Sequence, residues 1–436
     1  MAEELRTPRG TKDILPDEQK YWRFLNQVVT EKCESFGCGK IETPVFEYAE
    51  VFTKSVGASS DIVTKEMYQV ARANTIDAQM NADDEPRILV LRPEMTASIV
   101  RSYIEHGMKV WPQPVKLYYE GLCFRYERPQ AGRYRQFRQF GIEVLGDADP
   151  LTDASSIYLA YKTLQKLGVG KNLVIDINSI GDASCRGKIK KKLTDYFEKF
   201  LPNLCEDCNR RYMENPLRIL DCKNEKCQRV VNSAPPIVDL LCSDCKTHFK
   251  QVLENLDNMQ IPYNLNPRLV RGLDYYTRTV FEVYESNDTN RQSALVAGGR
   301  YDNLVKMFGG SDTPAFGWAA GAERIIEKIK EANVTIPEPV LTEVSIIQIG
   351  DKARKKCVSL LGEIEEAGIK VNCVLGKDSL KSQLRTASKL RAQIALIMGQ
   401  REVLDNSIII RDMVDGVQET IKINKLMEVL KAKLNK

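Results

Sequence analysis

Between residues 18 and 36, apolar side chains return at intervals of three and four, at Trp22, Leu25, Val29, Cys33 and Phe36. That period predicts an amphipathic helix with one buried face. Residues 40–48 read as a strand, and Pro44 within it lacks a ladder donor, which assigns the strand to a sheet edge or an interface. Residues 87–91 form a short apolar strand that Pro93 ends, and RPEMTASIVRSYIEHGM turns from it into a helix with Glu94 and Thr96 at the turn. Such turns are common places for ligand contacts, while Glu94 reads equally well as first-turn charge against the helix dipole.

Over residues 117–146, LYYEGLCFRYERPQAGRYRQFRQFGIEVLG, the period changes to two. Leu122, Phe124 and Tyr126 alternate with Cys123, Arg125 and Glu127, and Phe140, Ile142 and Val144 alternate with Gln139, Gly141 and Glu143. An antiparallel hairpin is predicted, with those apolar sets toward the core. Its other face would gather Arg125, Gln139 and Glu143 around the space left by Gly141, with Phe137 able to roof it. Such a site suits a small, polar, planar ligand. The loop at 128–134 adds Arg128 and Arg133 with almost no compensating acid, which suits phosphate; a solvated basic hairpin is the plainer reading.

Further on come a helix at 152–167 and a buried strand at 173–180. Residues 266–285 are strand-rich, with Gly272 as a bend between Arg271 and Tyr276. FGWAAGAER, residues 316–324, runs from strand into helix, its small residues allow a ligand close to the backbone, and Arg324 falls in the first helical turn. After a proline-bearing linker at 335–342, strands and helices alternate as in an α/β domain with a largely parallel sheet. Its helices and their flanks carry Lys352, Arg354, Lys355, Lys356, Lys377, Lys381, Arg385, Lys389 and Arg391, which in the plain reading are a solvated basic face.

Residues 185–260 interrupt this organisation with Cys205, Cys208, Cys222, Cys227, Cys242 and Cys245. The pairs CEDC and CSDC flank CKNEKC, a spacing that suits a tetrahedral metal, and the expected structural zinc ligands are Cys205, Cys208, Cys242 and Cys245, with Cys222 and Cys227 as substitutes. Idle reduced thiols are the alternative.

Composition narrows the chemistry. A chain of 436 residues accommodates two or three domains, and a net charge of only +4 means that a nucleic acid would be held by local basic patches. No apolar run is long enough to span a membrane, the first 18 residues are too polar for a signal peptide, and twelve cysteines fit a reducing cytosol only as thiols or metal ligands. Nucleotide-loop motifs of the G-x-x-x-x-G-K-[ST] and G-x-G-x-x-G kinds and the H-E-x-x-H metal motif are missing, and the two histidines, His106 and His248, have no setting that suggests a triad. Arginines dominate the candidate sites, as expected where catalysis means orienting anions and neutralising phosphoryl charge.

FRYERPQAGRYRQFRQFGIEVLG resembles motif 2 of class II aminoacyl-tRNA synthetases in the form used by the histidyl-tRNA synthetase family. LVRGLDYYTRTVFEVY, GGRYDNL and FGWAAGAERI are similar to that family's histidine-specific motifs and motif 3. The resemblance implies an α+β catalytic domain on a mixed, mainly antiparallel sheet, interrupted by a helical, Cys-rich insertion and followed by an α/β anticodon-binding domain. The implied boundaries are 1–184 and 261–334 for the catalytic halves, 185–260 for the insertion, 335–342 for the linker and 343–436 for the last domain.

It also implies activation of L-histidine by ATP with Mg²⁺ and transfer of the histidyl group to the 3′ end of histidine tRNA, by a cytoplasmic homodimer in which the 18–36 helix and the Pro44 strand form the two-fold contact. By the same resemblance Arg125, Arg271 and Arg324 are catalytic. Arg125 meets the α-phosphate and Arg324 the γ-phosphate; Phe137 stacks on adenine, and Glu127 and Arg133 complete the ATP set. Glu94, Thr96 and Gln139 hold the α-amino group, Glu143 and Tyr276 the imidazole nitrogens, and Arg271 sits between carboxylate and α-phosphate. Met95, where many relatives carry Gly, and Tyr275 complete the histidine set, and Arg128 and Gln130 meet the tRNA acceptor end. Two rival readings are a silent paralogue that binds histidine as a regulatory subunit and a sensor of uncharged tRNA, and intact Arg125, Arg271 and Arg324 weigh against both.

Overall fold

The computed structural model describes residues 4–57, 60, 62–71, 88–129, 132–170, 172–286, 294–337, 342–374 and 379–435. The chain divides into two compact units, Met1–Ile336 and Pro337–Lys436.

The first unit begins with helix α1 (Gln19–Ser35), which buries Trp22, Leu25, Val29 and Cys33 of the predicted stripe together with Val28, while Phe36 lies just past the helix end and is half-buried. Strands β1 (Gly39–Lys40) and β2 (Phe46–Tyr48), helix α2 (Ala49–Val56), strand β3 (Leu89–Leu91) and helix α3 (Thr96–Glu105) follow. The hairpin is β4 (Val115–Phe124) and β5 (Gln136–Leu145); helix α4 (Pro150–Lys166) and strand β6 (Leu173–Ser179) come next. Four further helices, α5 (Ala183–Phe197), α6 (Glu206–Glu214), α7 (Glu225–Asn232) and α8 (Ser243–Asn258), make up most of the insertion. The unit closes with β7 (Tyr263–Leu265), β8 (Thr277–Glu285), β9 (Val296–Arg300), α9 (Leu304–Met307), β10 (Ala315–Gly321) and α10 (Ala322–Glu331).

Eight strands form one sheet in the order β1-β4-β5-β10-β9-β8-β6-β7. Its two outermost pairings are parallel and the inner ones antiparallel. Both faces are covered. Tyr118, Phe140, Ile142 and Val144 pack with α1, α4, α8 and α10, whereas Leu117, Tyr119 and Cys123 pack with α3 and the insertion. Double coverage corrects the expected phase of β4. Cys123 is fully buried, Leu122 and Phe124 are only half-buried, and Tyr126, beyond the strand end, is exposed. An apolar-in, polar-out rule applies to a sheet with one wet face, which this one lacks.

The single strand expected at 40–48 is two. β1 lies parallel to β4, and β2 pairs antiparallel with β3 in a separate small sheet. At the break the Arg92 guanidinium donates to the Thr43 carbonyl (2.5 Å), the Thr43 hydroxyl (3.0 Å) and the Pro44 carbonyl (3.1 Å), so acceptors without strand partners are satisfied by a side chain.

Opposite the hairpin, Arg300 is wholly buried. It forms an ion pair with Asp153, a hydrogen bond to Asp302 at 3.1 Å, and further bonds to the carbonyls of Asp147 (2.9 Å) and Asp149 (3.3 Å). The arginine of GGRYD thus ties the end of β9 to the start of α4.

The second unit runs through β11 (Val344–Gln348), α11 (Asp351–Glu366), β12 (Val371–Cys373), α12 (Leu380–Lys389), β13 (Ile394–Met398), α13 (Gln400–Leu404), β14 (Ser407–Asp412), β15 (Gln418–Lys422) and α14 (Leu426–Leu434). Its sheet order is β12-β11-β13-β14-β15. Only the first three strands are mutually parallel, so the largely parallel sheet expected is mixed. The links from β13 to β14 and β14 to β15 are too short for a parallel crossover, which takes about a dozen residues. Of the basic residues noted there, Lys377 lies outside the described residues and the others are exposed. Among the described residues no helix is long and apolar enough to cross a membrane.

Replacing Arg300 with methionine leaves the Asp153 carboxylate buried without its cation, and loss of about 3–5 kcal/mol of stability is expected. Denaturant melting of Arg300→Met and of the double variant with Asp153→Leu reads this, and the double variant should recover part of the loss. Equal stability of wild type and Arg300→Met would show that the pair anchors nothing.

Candidate active site

A cavity of about 530 Å³ opens beside the hairpin, lined by the α3 turn, the arginines of the β4–β5 loop, residues 271–276 and the small residues of β10. Glycines make its floor possible. On Gly141 a Cβ would lie 2.6 Å from the Tyr119 hydroxyl, and on Gly317 it would overlap the Glu143 carboxylate.

Glu143 is 1% exposed. The Thr96 hydroxyl donates to its Oε1 at 2.6 Å and the Tyr301 hydroxyl to its Oε2 at 2.5 Å. Burial pushes its carboxyl up to about 8, despite those donors. Thr96, Tyr301 and Gly317 line the cavity, with Glu143 directly behind them. Tyr301 was not singled out from sequence; its place in GGRYD, one residue after the buried arginine, was the available signal.

Glu94 is buried and accepts from the Thr96 (2.7 Å) and Ala97 (2.9 Å) amides. It caps α3, as the dipole reading anticipated, and also lines the cavity. Burial raises its pKa. Met95 departs from the expected ligand set. It is 1% exposed, packs in the core with Tyr119 and Cys123, and is absent from the cavity lining. The first residue of α3 faces the cavity and its predecessor faces the core, so sequence adjacency to Glu94 and Thr96 was a poor guide.

Arg271 lines the cavity and pairs with Glu282 on β8. Its buried Nε has no hydrogen-bond partner among the described residues. Tyr275 and Tyr276 are buried side by side, with ring centroids 4.7 Å apart, and both reach the cavity. At the other end the Arg125 guanidinium lies 5.4 Å from the Phe137 ring centroid and donates from Nε to the Pro93 carbonyl at 2.9 Å. Glu127 lies 3.8 Å from Arg125 and 3.6 Å from Arg133, supplying the acid that the loop composition appeared to lack. Arg324 donates to the Ala294 carbonyl at 2.7 Å, and Gln139 accepts from the Cys123 thiol at 3.4 Å; both line the cavity. Arg128 is exposed outside the cavity lining, and Gln130 lies outside the described residues.

The cysteines do not group as spacing suggested. Cys205 and Cys208 meet Cys222 and Cys227, whereas Cys242 and Cys245 meet Asp182 and Cys185. The CSDC pair opens α8, which packs toward α4 and β8, while the CEDC pair opens α6 near the helical turn at Pro216–Asp221. All twelve cysteines are free of disulfides.

A mixed, mainly antiparallel sheet that carries an anion-orienting arginine set beside a sealed polar pocket, with a separate α/β unit after it, is the architecture of a class II aminoacyl-tRNA synthetase. The model described as "Histidyl-tRNA synthetase" matches residues 10–184 and 214–325, and the one described as "Anticodon binding domain" matches 343–433. Similar curated proteins include histidine–tRNA ligases of Desulforamulus reducens, 43% identical over 98% of this chain and 99% of that protein, and of Acetivibrio thermocellus, 41% identical over 98% and 99%. The solved apo histidyl-tRNA synthetase of S. aureus is 33% identical over 98% of this chain and 100% of that one, with a TM-score of 0.79. This chain belongs to the histidyl-tRNA synthetase family and is a ligase acting on histidine and tRNA. The matches support that reading and not the regulatory paralogue.

Glu143 yields a pH prediction. Its folded pKa of about 8 lies above the ordinary 4.5, so its contribution to stability is fully present below pH 4.5 and is lost as pH rises through 8. Glu143→Gln removes that loss, which is on the order of 5 kcal/mol at most. The melting temperature of wild type relative to the variant should therefore fall between pH 5 and 8. A difference independent of pH would contradict the burial of an ionisable carboxyl there.

Proposed function

We propose that the cavity binds histidine at its Glu143 end and ATP under Phe137, and that Arg271 stabilises the transfer between them. The single observation that carries this is Arg271, half-buried in the cavity wall and held by Glu282 on one side. A guanidinium in a cavity wall with a single carboxylate partner keeps N–H donors for an anionic ligand. In the proposed step a carboxylate oxygen of histidine attacks the α-phosphorus, the bond to the β-phosphate oxygen breaks and pyrophosphate leaves. Histidine's carboxylate is already ionised at neutral pH, so this step needs no general base. Arg125 and Arg271 would neutralise charge at the α-phosphate, with Arg324 at the γ-phosphate and Glu127 holding Arg125 and Arg133 in place. Mg²⁺ would arrive with the ATP, as is general for such ligases, and would neutralise phosphate charge.

Glu94, Thr96 and Gln139 would hold the α-amino group. For the side chain, Glu143, reinforced by Thr96 and Tyr301, would face one imidazole nitrogen and Tyr276 the other. A neutral imidazole has one donor and one acceptor, so glutamine or an apolar side chain in that place would leave a buried group unpaired. Sites of this kind discriminate by about 10⁴ or more without editing. Arg128 and Gln130 would then contact the tRNA acceptor end and the second unit its anticodon, in the cytoplasm. The Cys205, Cys208, Cys222 and Cys227 quartet supports a structural zinc within the insertion.

Arg271→Ala is expected to abolish histidine-dependent pyrophosphate exchange while histidine and ATP still bind, and Arg128→Ala to spare exchange but lower tRNA charging. Near-normal exchange by folded Arg271→Ala would remove its role, and parallel loss of both activities in Arg128→Ala would move that loop to the ATP site. A homodimer is proposed on the apolar rim of the small sheet, where Val45, Phe46, Tyr48, Val70 and Ile88 are all at least 40% exposed. Sedimentation should show a dimer, and a monomer independent of concentration would refute it.

A further inference from the structure

The grouping of the cysteines leaves a second cluster, in which Cys242 and Cys245 meet Asp182 and Cys185 instead of the first C-x-x-C pair. Asp182 and Cys185 come from the start of α5, where the chain leaves the catalytic sheet, and Cys242 and Cys245 from the start of α8, where it returns. Their four ligand atoms all lie within 4.8 Å of one another. We propose that Asp182, Cys185, Cys242 and Cys245 bind a zinc ion of their own, which clamps the root of the insertion.

Zinc accepts this donor set. Cysteine sulfur and carboxylate oxygen both bind it in four-coordinate structural sites, and bonds of about 2.3 Å place tetrahedral sulfurs about 3.8 Å apart. A spacing of 3.8 Å separates Cys205 and Cys222 in the first quartet, and the ligand atoms of both clusters lie within 4.8 Å of one another. The amide pattern is shared as well. In the first cluster the Cys205 amide donates to Cys227 Sγ at 3.1 Å; in the second the Cys242 amide donates to Cys185 Sγ, also at 3.1 Å. In each, the leading cysteine of a C-x-x-C pair reaches a sulfur from another chain segment. The Cys245 amide approaches Cys242 Sγ at 3.5 Å. Donors directed at sulfur favour thiolate, the form that binds metal.

Asp182 is oriented for the fourth position. Its Oδ1 accepts from the Ser184 amide (3.0 Å) and hydroxyl (2.6 Å), and its Oδ2 lies 3.3 Å from Arg278. Oδ1 has both lone pairs taken, and Oδ2, with one used toward Arg278, is the oxygen with capacity for an ion. Gly181, at φ +69°, permits the turn, and a Cβ there would come within 2.6 Å of Cys185 Cβ. Residues 185–213, with Cys185, Cys205 and Cys208, lie between the two stretches that the family model matches, so both clusters depend on a segment outside the match.

The second cluster adjoins the histidine end of the cavity. Arg278, itself left-handed at φ +49°, joins Asp182 to the strand that follows Tyr276, and Arg186 on α5 donates to the Tyr276 carbonyl at 2.5 Å. Metal at Asp182 and Cys185 would therefore fix the backbone that carries Tyr276, independently of the first quartet within the insertion.

The test is zinc content of the full-length chain purified without chelator, with folding followed by circular dichroism. Two zinc ions per chain are expected in wild type and one each in Cys245→Ser and Cys208→Ser. Zinc X-ray absorption of the wild type keeps the proposal testable if a variant misfolds, because two ions sharing seven sulfurs and one oxygen differ from ions bound by sulfur alone. Wild type with a single zinc that Cys245→Ser retains, all-sulfur coordination, or folded wild type without zinc would each overturn the second site. Loss of zinc from Cys208→Ser alone, with Cys245→Ser unchanged, would uphold the first quartet and overturn this one.

Discussion

Both oxygens of the Glu143 carboxylate are taken, one by the Thr96 hydroxyl and one by the Tyr301 hydroxyl, in a place where almost no water reaches. These bonds join three elements distant in sequence: the first turn of α3, the middle of β5 and the residue after β9. The carboxylate can be there only because β10 offers Gly317 opposite, and the sheet can bring β10 that close only because Gly141 stands across from Ala319 in register. Burying a carboxyl without a cation is expensive, and here the protein meets the cost with hydroxyl donors and a raised pKa instead of a salt bridge. The consequence is a pocket end that is polar, preorganised and neutral over much of the physiological range.

Arg300, Arg92 and Arg271 differ in how completely they are satisfied. Arg300 bonds Asp153, Asp302 and two carbonyls, which leaves nothing for a ligand and makes it an anchor. Arg92 gives Nη1 to the break between β1 and β2 and Nε to the Leu122 carbonyl of β4. Arg271 has one carboxylate partner and a buried Nε without one, and it stands in the cavity wall. Arginine count along the sequence does not separate these roles; the state of each guanidinium does.

Much was legible in the chain itself. The three-and-four spacing of α1, the hairpin and the strand-to-helix turns at Glu94 and Arg324 are local patterns, and the family's motifs are long contiguous words. What stayed hidden depends on contacts between segments far apart. Tyr301 reaches Glu143 across 158 positions, and nothing in its neighbours announces that. Cys185 and Asp182 lie outside any C-x-x-C pair, so spacing paired Cys242 and Cys245 with the wrong partners. Met95 sits between two cavity residues yet faces the core, because one step along a helix turns a side chain by about 100°. The phase of β4 was misread because periodicity shows which residues alternate but not that both faces of a sheet are covered.

A structure of the chain with histidine bound decides which end of the cavity takes the side chain. An imidazole nitrogen is expected within about 3 Å of the Glu143 carboxylate, and the histidine carboxylate at the Arg271 guanidinium. Histidine bound the other way round, with its α-amino group at Glu143 and its ring toward Arg125, would contradict this placement.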